Sequence, residues 1–321
     1  MADFFNPQFL LTVALTAALI FVNGWTDAPN AVATCIGSGA MRPRAAINMA
    51  AVFNLLGIVV MYLCNDSVSK TIESGINLGT HHRLTALCAS IIAVVLFAAV
   101  AAFFGIPTSE GHALFAALAG TAAAQGEQTA RVGFWGYVVI GALISAVAGF
   151  VLGAFFDRVL LKMRIKNKAL RTVQIISAAL LAFMHGAQDG QKFTAIMLLS
   201  LSLSGTDSEV RLPLIFLSGA LMAVGTAVGG KKIIKRVGSG ITPLDERSGV
   251  GCDMSAFLCL ALCTCFGLPV STTHTKTAAV VGVGCSRGVL NVRAFSGIAL
   301  AWVVTLPACF LISFFITKIC I

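Results

Sequence analysis

Charged residues are scarce in this chain of 321 residues: Asp, Glu, Lys and Arg make up 11%, against 58% hydrophobic residues. A soluble domain carries roughly 25% charged residues, so this composition excludes an ordinary water-soluble protein. The chain also lacks a polar segment long enough to form a large soluble domain. Apolar runs close to the roughly 20 residues that span a bilayer recur along its whole length. The clearest of them cover residues 45–63, 84–104, 134–156, 212–230 and 294–316.

Other absences narrow the class of protein further. The apolar runs lack the alternation of a membrane β-barrel, so we predict an all-α polytopic membrane protein in contact with lipid. Asp3 precedes the first apolar run and no basic segment does, which argues against a cleavable signal peptide. The ten cysteines form no CxxC pair, which favours buried free thiols over disulfides or zinc ligands.

The net charge of +9 comes from basic residues in short segments between the apolar runs. Arg42 and Arg44 form one group, residues 158–171 a second and residues 231–236 a third. We interpret these segments as cytoplasmic loops that follow the positive-inside rule, and not as a surface for nucleic acid.

Two polar motifs each occur twice in the chain. The first acid motif, "NGWTDAPN" (23–30), matches a second acid motif, "HGAQDGQK" (185–192). The hydroxyl-rich sequence "GIPTSEGH" (105–112) matches "GLPVSTTH" (267–274). Each second copy begins 162 residues after its first copy, and two separate motifs with one separation indicate a duplication.

The duplication predicts two membrane repeats, residues 1–163 and 164–321, that form a single integrated transport unit. Each repeat has five expected crossings, the first of them a broken helix within residues 9–40. An odd number of crossings inverts the second repeat relative to the first. Placing the basic loops inside puts the acidic loops 64–80 and 204–210 outside, together with both termini. Inverted repeats with broken helices are typical of secondary transporters, whose substrate site lies near the membrane midplane.

Each hydroxyl-rich motif has the features of a helix that begins inside the membrane. A Gly-x-Pro sequence ends one apolar run, hydroxyl residues follow, and a helix rich in small residues comes next. Proline suits the first turn of a helix and Ser or Thr its N-cap, and the free N–H groups there carry partial positive charge. Two such helical hairpins could bind a tetrahedral oxyanion between them, although either motif alone is also consistent with an ordinary capped turn.

The acids near these motifs would repel such an anion unless a positive charge binds with it. Asp27, Asp189 and Glu110 supply three carboxylates, against which stand two lysines, Lys192 and Lys276. An added anion would be repelled unless cations bind with it or carboxylates are protonated. Asp and Asn oxygens together with freed backbone carbonyls are suited to Na⁺ or to a proton relay. The charge count therefore favours cation-coupled anion uptake.

These motifs resemble the signatures of the inorganic phosphate transporter (PiT) family. "NGWTDAPNAVAT" is similar to its GxxDxxNAxAT signature, "HGAQDGQK" to its second copy, and "GLPVSTTHT" to its second hydroxyl-rich hairpin. The resemblance covers the whole chain and implies Na⁺- or H⁺-coupled symport of inorganic phosphate, with no enzymatic activity and no cofactor other than bound Na⁺. A homodimer is expected, since such carriers often pair, and the bacterial plasma (inner) membrane is the expected location.

The resemblance also implies a set of site residues. The expected phosphate-binding residues are Thr108, Ser109, Ser271, Thr272, Thr273, Gln191 and Lys192. The residues expected to bind or couple the cation are Asp27, Asn30, Asp189, Asn23 and Glu110, with Na⁺ at Asp27, Asn30 and Asp189.

Three places depart from the family pattern. Gln188 stands where the second copy usually has Asn, and the first copy has Trp25-Thr26 where many members have other pairs. The larger change is Glu110, which replaces a hydroxyl residue of the first hairpin. Because Glu110 adds negative charge beside the anion, it leaves open the coupling ion and the substrate. Symport of sulfate or another tetrahedral oxyanion is therefore the alternative function.

Two other classes of function fit these residues less well. An intramembrane metallohydrolase would use His112, His185, Asp189 and His274, but the chain has no HExxH pattern, and hydrolysis rarely needs two equivalent copies of a site. A passive anion channel would have no use for buried acids. We interpret His112 and His274 as hydrogen-bonded helix residues that fix the two hairpins.

Overall fold

The computed structural model describes residues 7–76, 78, 82–126, 132–203 and 211–321. Within these ranges the chain is almost entirely helical and has no β-strand. Among the described residues, eight helical segments are long and apolar enough to cross a membrane by length and composition. The predicted all-α polytopic class is thereby confirmed.

The helices follow one another closely along the chain. Those of the first half are α1 (Pro7–Thr26), α2 (Pro29–Gly37), α3 (Pro43–Cys64), α4 (Ser67–Gly75), α5 (Arg83–Phe103), α6 (Glu110–Gln125) and α7 (Val132–Lys162). Those of the second half are α8 (Asn167–His185), α9 (Gln191–Leu203), α10 (Arg211–Val228), α11 (Lys231–Lys235), α12 (Glu246–Cys265), α13 (Thr272–Arg287) and α14 (Val292–Cys320). Two π-helical segments, Gly186–Gly190 and Arg236–Gly240, follow α8 and α11.

The two acid motifs interrupt their helices in different ways. In the first motif α1 ends at Thr26 and α2 begins at Pro29, so the predicted break within residues 9–40 is present. Proline has no N–H to continue the hydrogen-bond ladder of the preceding helix. The second motif has Gln191 at the matching position, and its N–H bonds the Gln188 carbonyl oxygen. α8 therefore continues through the π-helical segment into α9, where we expected a second break.

The two hydroxyl-rich motifs form the tips of two helical hairpins, α5–α6 (the first hairpin) and α12–α13 (the second hairpin). Gly105 and Gly267 turn the chain after α5 and α12, both with φ of +65°, a conformation that glycine adopts without strain. Ser109 and Ser271 are the N-caps of α6 and α13, and each side chain accepts a hydrogen bond from the backbone N–H three residues later. The expected Ser or Thr cap is thus present, but Pro107 and Pro269 precede the caps and do not lie in the first helical turn.

Each hairpin packs closely against one long helix from the other half of the chain. α6 lies on α14, and α13 lies on α7. A Cβ atom at Gly120 would come within 2.2 Å of the Phe310 carbonyl oxygen, and one at Gly282 within 2.1 Å of the Phe150 carbonyl oxygen. The small residues predicted for α6 and α13 thus allow the backbone of each helix to lie against the backbone of its long partner helix. Gly120 and Gly282 do this at matching positions of the two repeats.

One element was not expected from the sequence. Residues 64–80 were predicted as an outer loop, but they include α4, whose Val68 and Ile72 are buried and which packs on α9. The predicted outer loop 204–210 lies outside the described residues. The inversion of the repeats, their boundaries at residue 163 and the outside position of both termini stay predictions.

Candidate functional site

The first acid lies in the turn between α1 and α2. Asp27 is buried, and its Oδ1 accepts a hydrogen bond from the Thr273 hydroxyl at the tip of the second hairpin. Asn23 Nδ2 lies 3.4 Å from Asp27 Oδ2, and Asn30 Nδ2 lies 3.5 Å from Oδ1. Asn30 Nδ2 also donates to Thr273 Oγ1 at 3.1 Å. Every contact of Asp27 in this group comes from a neutral side chain.

Glu110, the first residue of α6, adds a second carboxylate at this place. It is completely buried, and its Oε1 accepts a 2.6 Å hydrogen bond from the Thr26 hydroxyl. Asn23 Nδ2 lies 3.3 Å from Glu110 Oε2, so one amide joins Glu110 to Asp27. The two carboxyl groups are therefore neighbours that share one amide group.

The second acid, Asp189, lies in the π-helical segment and has a charged partner. Lys192 Nζ is 2.5 Å from Asp189 Oδ1 and also donates to the Val270 carbonyl oxygen at the second hairpin. The Thr272 hydroxyl donates to Asp189 Oδ2 at 2.7 Å, and His185 Nε2 lies 3.3 Å from the same oxygen. The opposite ring nitrogen, His185 Nδ1, is 3.0 Å from Asn54 Oδ1.

The fold brings both acid motifs to one buried centre. Ligand atoms of Asp27, His185 and Asp189 all lie within 4.8 Å of one another. The second hairpin contacts both acids, through Thr273 and Thr272. The first hairpin contributes Glu110 and Gly111, and a Cβ at Gly111 would lie 3.3 Å from Lys192 Nζ.

The predicted phosphate residues occupy different positions around this centre. Ser109 and Ser271 cap the helices, and Thr108 is buried beside its cap at the first hairpin tip. Thr272, Thr273 and Lys192 contact the acids as described above. Gln191 faces α4 instead: its Nε2 donates to the Asn65 carbonyl oxygen at 2.9 Å, and its Oε1 accepts from Ser69 N–H at 3.2 Å.

A second buried ion pair next to the centre includes one residue that the sequence did not point to. Lys276 Nζ bonds Asp253 Oδ1 on α12 and lies 2.9 Å from Thr34 Oγ1. Thr34 donates to the same Asp253 oxygen at 2.5 Å. The signal that could have revealed Asp253 is its isolation in the apolar run of α12, because a buried lysine such as Lys276 requires an acid.

A small cavity is lined by Lys276 of this ion pair and by residues of both acid motifs. Its volume is about 10 Å³, and Asn30, His185, Thr272 and Lys276 supply its polar lining. That is close to the volume that one water molecule needs.

The charges of the buried groups do not balance. Four carboxylates are buried here, and the two buried lysines are bonded to two of them, Lys192 to Asp189 and Lys276 to Asp253. Over the residues that the structure describes, Asp27 and Glu110 have no ion pair with a basic residue. An isolated buried carboxylate is costly unless it is protonated or binds a cation.

The rings of the two hairpin histidines contact each other beside the site. The ring centroids of His112 and His274 are 4.7 Å apart with the rings tilted by 45°, and the Trp302 ring lies 4.0 Å from that of His274 with a tilt of 33°. Their backbone N–H groups bond the capping serines, but His112 Nε2 has no hydrogen-bond partner in the described chain. Both rings line an apolar cavity of about 670 Å³. Among the described residues, the possible metal ligands that lie together are Asp27, His185 and Asp189, so the metallohydrolase alternative has two of its four residues in that group and two outside it.

Comparisons with known proteins agree with one another. The model of the phosphate transporter family matches residues 23–313. A probable low-affinity inorganic phosphate transporter of Bacillus subtilis is 33% identical over 312 residues, which cover 93% of this chain and 92% of that protein. Another protein of the same description, from Rhizobium meliloti, is 32% identical over 325 residues, which cover 96% of this chain and 95% of that protein. A solved structure described as the sodium-dependent phosphate transporter has the same fold, with a TM-score of 0.83, 20% identity and 98% of each chain covered.

Proposed function

The chain belongs to the phosphate transporter family, and we propose that it carries inorganic phosphate across the membrane in symport with a cation. The observation that supports this most directly is the meeting of two capped helix starts with two acid motifs in one buried centre. Helix starts attract an oxyanion and acids attract cations, so a site with both is suited to a neutralised pair of ions.

The anion part of the proposal rests on the two hairpin tips. The N–H groups in the first turn of a helix have no hydrogen-bond partner within that helix. In α6 and α13 one of these N–H groups donates to the capping serine, Ser109 or Ser271, and the others can face an anion. Lys192 adds a positive charge beside the second tip. The hydroxyls of Thr108, Thr272 and Thr273 supply further hydrogen bonds, and these donors together suit phosphate.

The cation part of the proposal rests on charge. Phosphate placed beside Asp27 and Glu110 would meet two unpaired carboxylates, and a bound cation removes that repulsion. Asn23 Oδ1 and Asn30 Oδ1 are buried acceptors without a partner in the described chain, and such oxygens suit Na⁺. The solved transporter of the same fold is described as sodium-dependent, which agrees with Na⁺ as one coupling ion.

Uptake into proteoliposomes tests the proposal. The purified protein is reconstituted, radiolabelled phosphate or sulfate is added outside, and Na⁺ and pH gradients are imposed independently. We expect concentrative phosphate uptake that stops when both gradients are absent. Uptake without any dependence on a cation gradient would indicate a channel, and faster sulfate uptake would favour the alternative oxyanion carrier.

The membrane location and the orientation of the chain are part of the same proposal. We place the chain in the bacterial plasma membrane with both termini outside, because that orientation puts the basic segments 158–171 and 231–236 on the cytoplasmic side. Protease accessibility of a tag after Ile321 in intact cells tests this orientation. Homodimer formation remains a prediction that cross-linking in membranes can test.

A further inference from the structure

We propose that a cavity beside the turn of the first hairpin binds an anionic phospholipid. The phosphate of the headgroup lies on Lys231 and Lys232, and the acyl chains lie on the apolar surface next to them. This ligand differs from the ions of the proposed transport function, and only the assignment of its leaflet depends on the orientation proposed above.

The cavity lies between the end of α5, the end of α10 and the start of α11. Its volume is about 330 Å³, and sites for small molecules have volumes of roughly 300–1,000 Å³. Lys231 and Lys232 supply its charged lining, and Trp25, Phe103 and Ile233 belong to its apolar lining. The cavity thus combines positive charge with apolar surface, which is what an amphipathic anion requires.

The two long helices beside the cavity place it at one face of the membrane. The spans of α5 and α10 contain 21 and 18 residues, and they end next to the cavity at Phe103 and Val228. The proposed orientation makes this the cytoplasmic face, because the basic segment 231–236 begins here. Basic pockets between membrane helices on the cytoplasmic side are typical sites for anionic lipid headgroups.

The basic residues at the cavity have no acidic partner. Among the residues that the structure describes, Lys231, Lys232, Lys235 and Arg236 form no ion pair with Asp or Glu. Lys232 Nζ donates to the Phe103 carbonyl oxygen at 2.6 Å. A lysine has three N–H donors, so this bond leaves two of them for the phosphate of a headgroup.

The cavity is also linked to the turn of the first hairpin. Arg236 Nη1 lies 3.2 Å from the carbonyl oxygen of Gly105, the glycine of that turn. A Cβ atom at Gly105 would come within 2.7 Å of Lys232 Cβ, so α11 lies directly against the turn. In the same way, a Cβ atom at Gly267 in the turn of the second hairpin would lie 3.1 Å from Ser67 Cβ of α4. Each hairpin turn therefore lies against one short helix.

The charges of α4 differ from those of α11. Lys70 of α4 pairs with Asp66 at 2.8 Å, and Glu73 lies 3.9 Å from Arg211. A short helix can therefore lie against a hairpin turn without unpaired basic residues. The unpaired lysines of α11 require another explanation, and an anionic ligand provides one.

The surface beside the cavity favours a lipid over a free phosphate ion. Phe103 and Phe104 are 68% and 64% exposed, and Val100 and Val228 are 58% and 56% exposed. Exposed apolar side chains near the ends of membrane spans contact the lipid chains. A free phosphate ion would gain only the positive charge, whereas a phospholipid gains the charge and the apolar contact.

Native mass spectrometry of the purified protein in detergent tests the site. Phosphatidylglycerol, or phosphatidylcholine with the same acyl chains, is added at increasing concentration to the parent, Lys231→Gln and Lys232→Gln. Lys166→Gln is the matched control, since Lys166 is an exposed lysine of the other large basic segment, 158–171. We expect the parent and the control to retain phosphatidylglycerol in preference to phosphatidylcholine, and each cavity variant to bind it about fivefold more weakly.

The controls give this experiment results that would overturn the inference. Equal binding of the two lipids by the parent would show that the headgroup charge is not recognised. An equal loss of affinity in Lys166→Gln would show a general effect of surface charge with no localised site.

Photolabelling of the parent in membranes does not depend on the folding of a variant. The probe is phosphatidylglycerol with a photoreactive group in one acyl chain. We expect labelled peptides to contain Phe103, Phe104 or Val228, and unlabelled phosphatidylglycerol to suppress the labelling. Labelling confined to other helices would overturn the inference, and suppression by inorganic phosphate would show that the cavity takes a free anion. Neither measurement involves transport, so a failure here would leave the proposed symport standing, and a parent that moves no phosphate would not affect the lipid site.

Discussion

The two halves of this transporter hold equivalent acids in opposite electrostatic settings. Asp189 has Lys192 three residues later, whereas Asp27 has the neutral Asn30 at that position. Asp189 accepts a hydrogen bond from the Thr272 hydroxyl of the second hairpin, whereas Asp27 shares the Asn23 amide with Glu110 of the first hairpin. The second half thus carries a built-in countercharge, and the first half depends on a charge that must be supplied.

This difference suggests that the two halves have different roles in transport. The second hairpin contacts both acids, because Thr272 bonds Asp189 and Thr273 bonds Asp27. The first hairpin reaches the acid without a countercharge, because Glu110 and Asp27 share the Asn23 amide. A cation that enters or leaves the first half can therefore alter the position of the second hairpin through Asp27 and Thr273. The ion pair between Lys192 and Asp189 need not change when this happens.

The largest effect is expected from breaking the fixed charge pair. Lys192→Met leaves Asp189 buried without its partner, which should lower the free energy of unfolding by about 3–5 kcal/mol and abolish phosphate uptake. Thermal unfolding in detergent and uptake in proteoliposomes measure the two effects. Lys70→Met, which breaks the exposed pair with Asp66, serves as the control and should change neither. An unchanged melting temperature in Lys192→Met would mean that the second acid is not held by a fixed charge.

The buried ion pair between Lys276 and Asp253 provides a second test of the same comparison. It lies next to the site but contacts neither Asp27 nor Asp189. Lys276→Met should destabilise by about 3–5 kcal/mol, since it leaves Asp253 unpaired, and adding Asp253→Leu should restore most of the loss. Because this pair is structural, the double variant should also recover uptake. The corresponding double variant Asp189→Leu with Lys192→Met should recover folding only. Recovery of uptake by neither double variant would place Lys276 within the transport site.

Asp27→Asn should act on function and hardly on stability. The side chains that donate hydrogen bonds to Asp27 are neutral, so removing its charge leaves no unpaired lysine, and it lowers the negative charge near Glu110. We expect coupled uptake to be lost while the melting temperature stays near that of the parent. Asp189→Asn should lower the melting temperature as well, because it leaves Lys192 without an ion pair. Near-normal uptake by both variants would contradict the site as described.

The sequence allowed prediction of those features that depend on local pattern. The separation of 162 residues paired Asp27 with Asp189, and Gly-x-Pro followed by Ser located both helix caps, because capping depends on a few consecutive residues. The break in the first acid motif followed from Pro29. These signals determined where the polar groups occur along the chain, and the fold then brought them together.

Other features depend on packing between distant helices and could not be predicted in this way. Asp253 pairs with Lys276 across two helices, and no local spacing marks that contact. Gln191 follows a π-helical segment, whose extra residue per turn changes the direction of the side chains that follow, and it therefore faces α4. The meeting of Glu110 with Asp27 likewise required the orientation of α6 relative to α1.

The smallest expected effects come from the helix caps, and they compare the two hairpins most directly. Ser109→Ala and Ser271→Ala each remove the acceptor of one backbone N–H and should each cost about 1 kcal/mol of stability. Their effects on transport should differ, because the second hairpin positions the hydroxyls that contact both acids. We therefore expect Ser271→Ala to weaken the apparent phosphate affinity more than Ser109→Ala, as measured by uptake at varied phosphate concentration. Equal losses of affinity would indicate that the two hairpins contribute equally and that the asymmetry is confined to the acids.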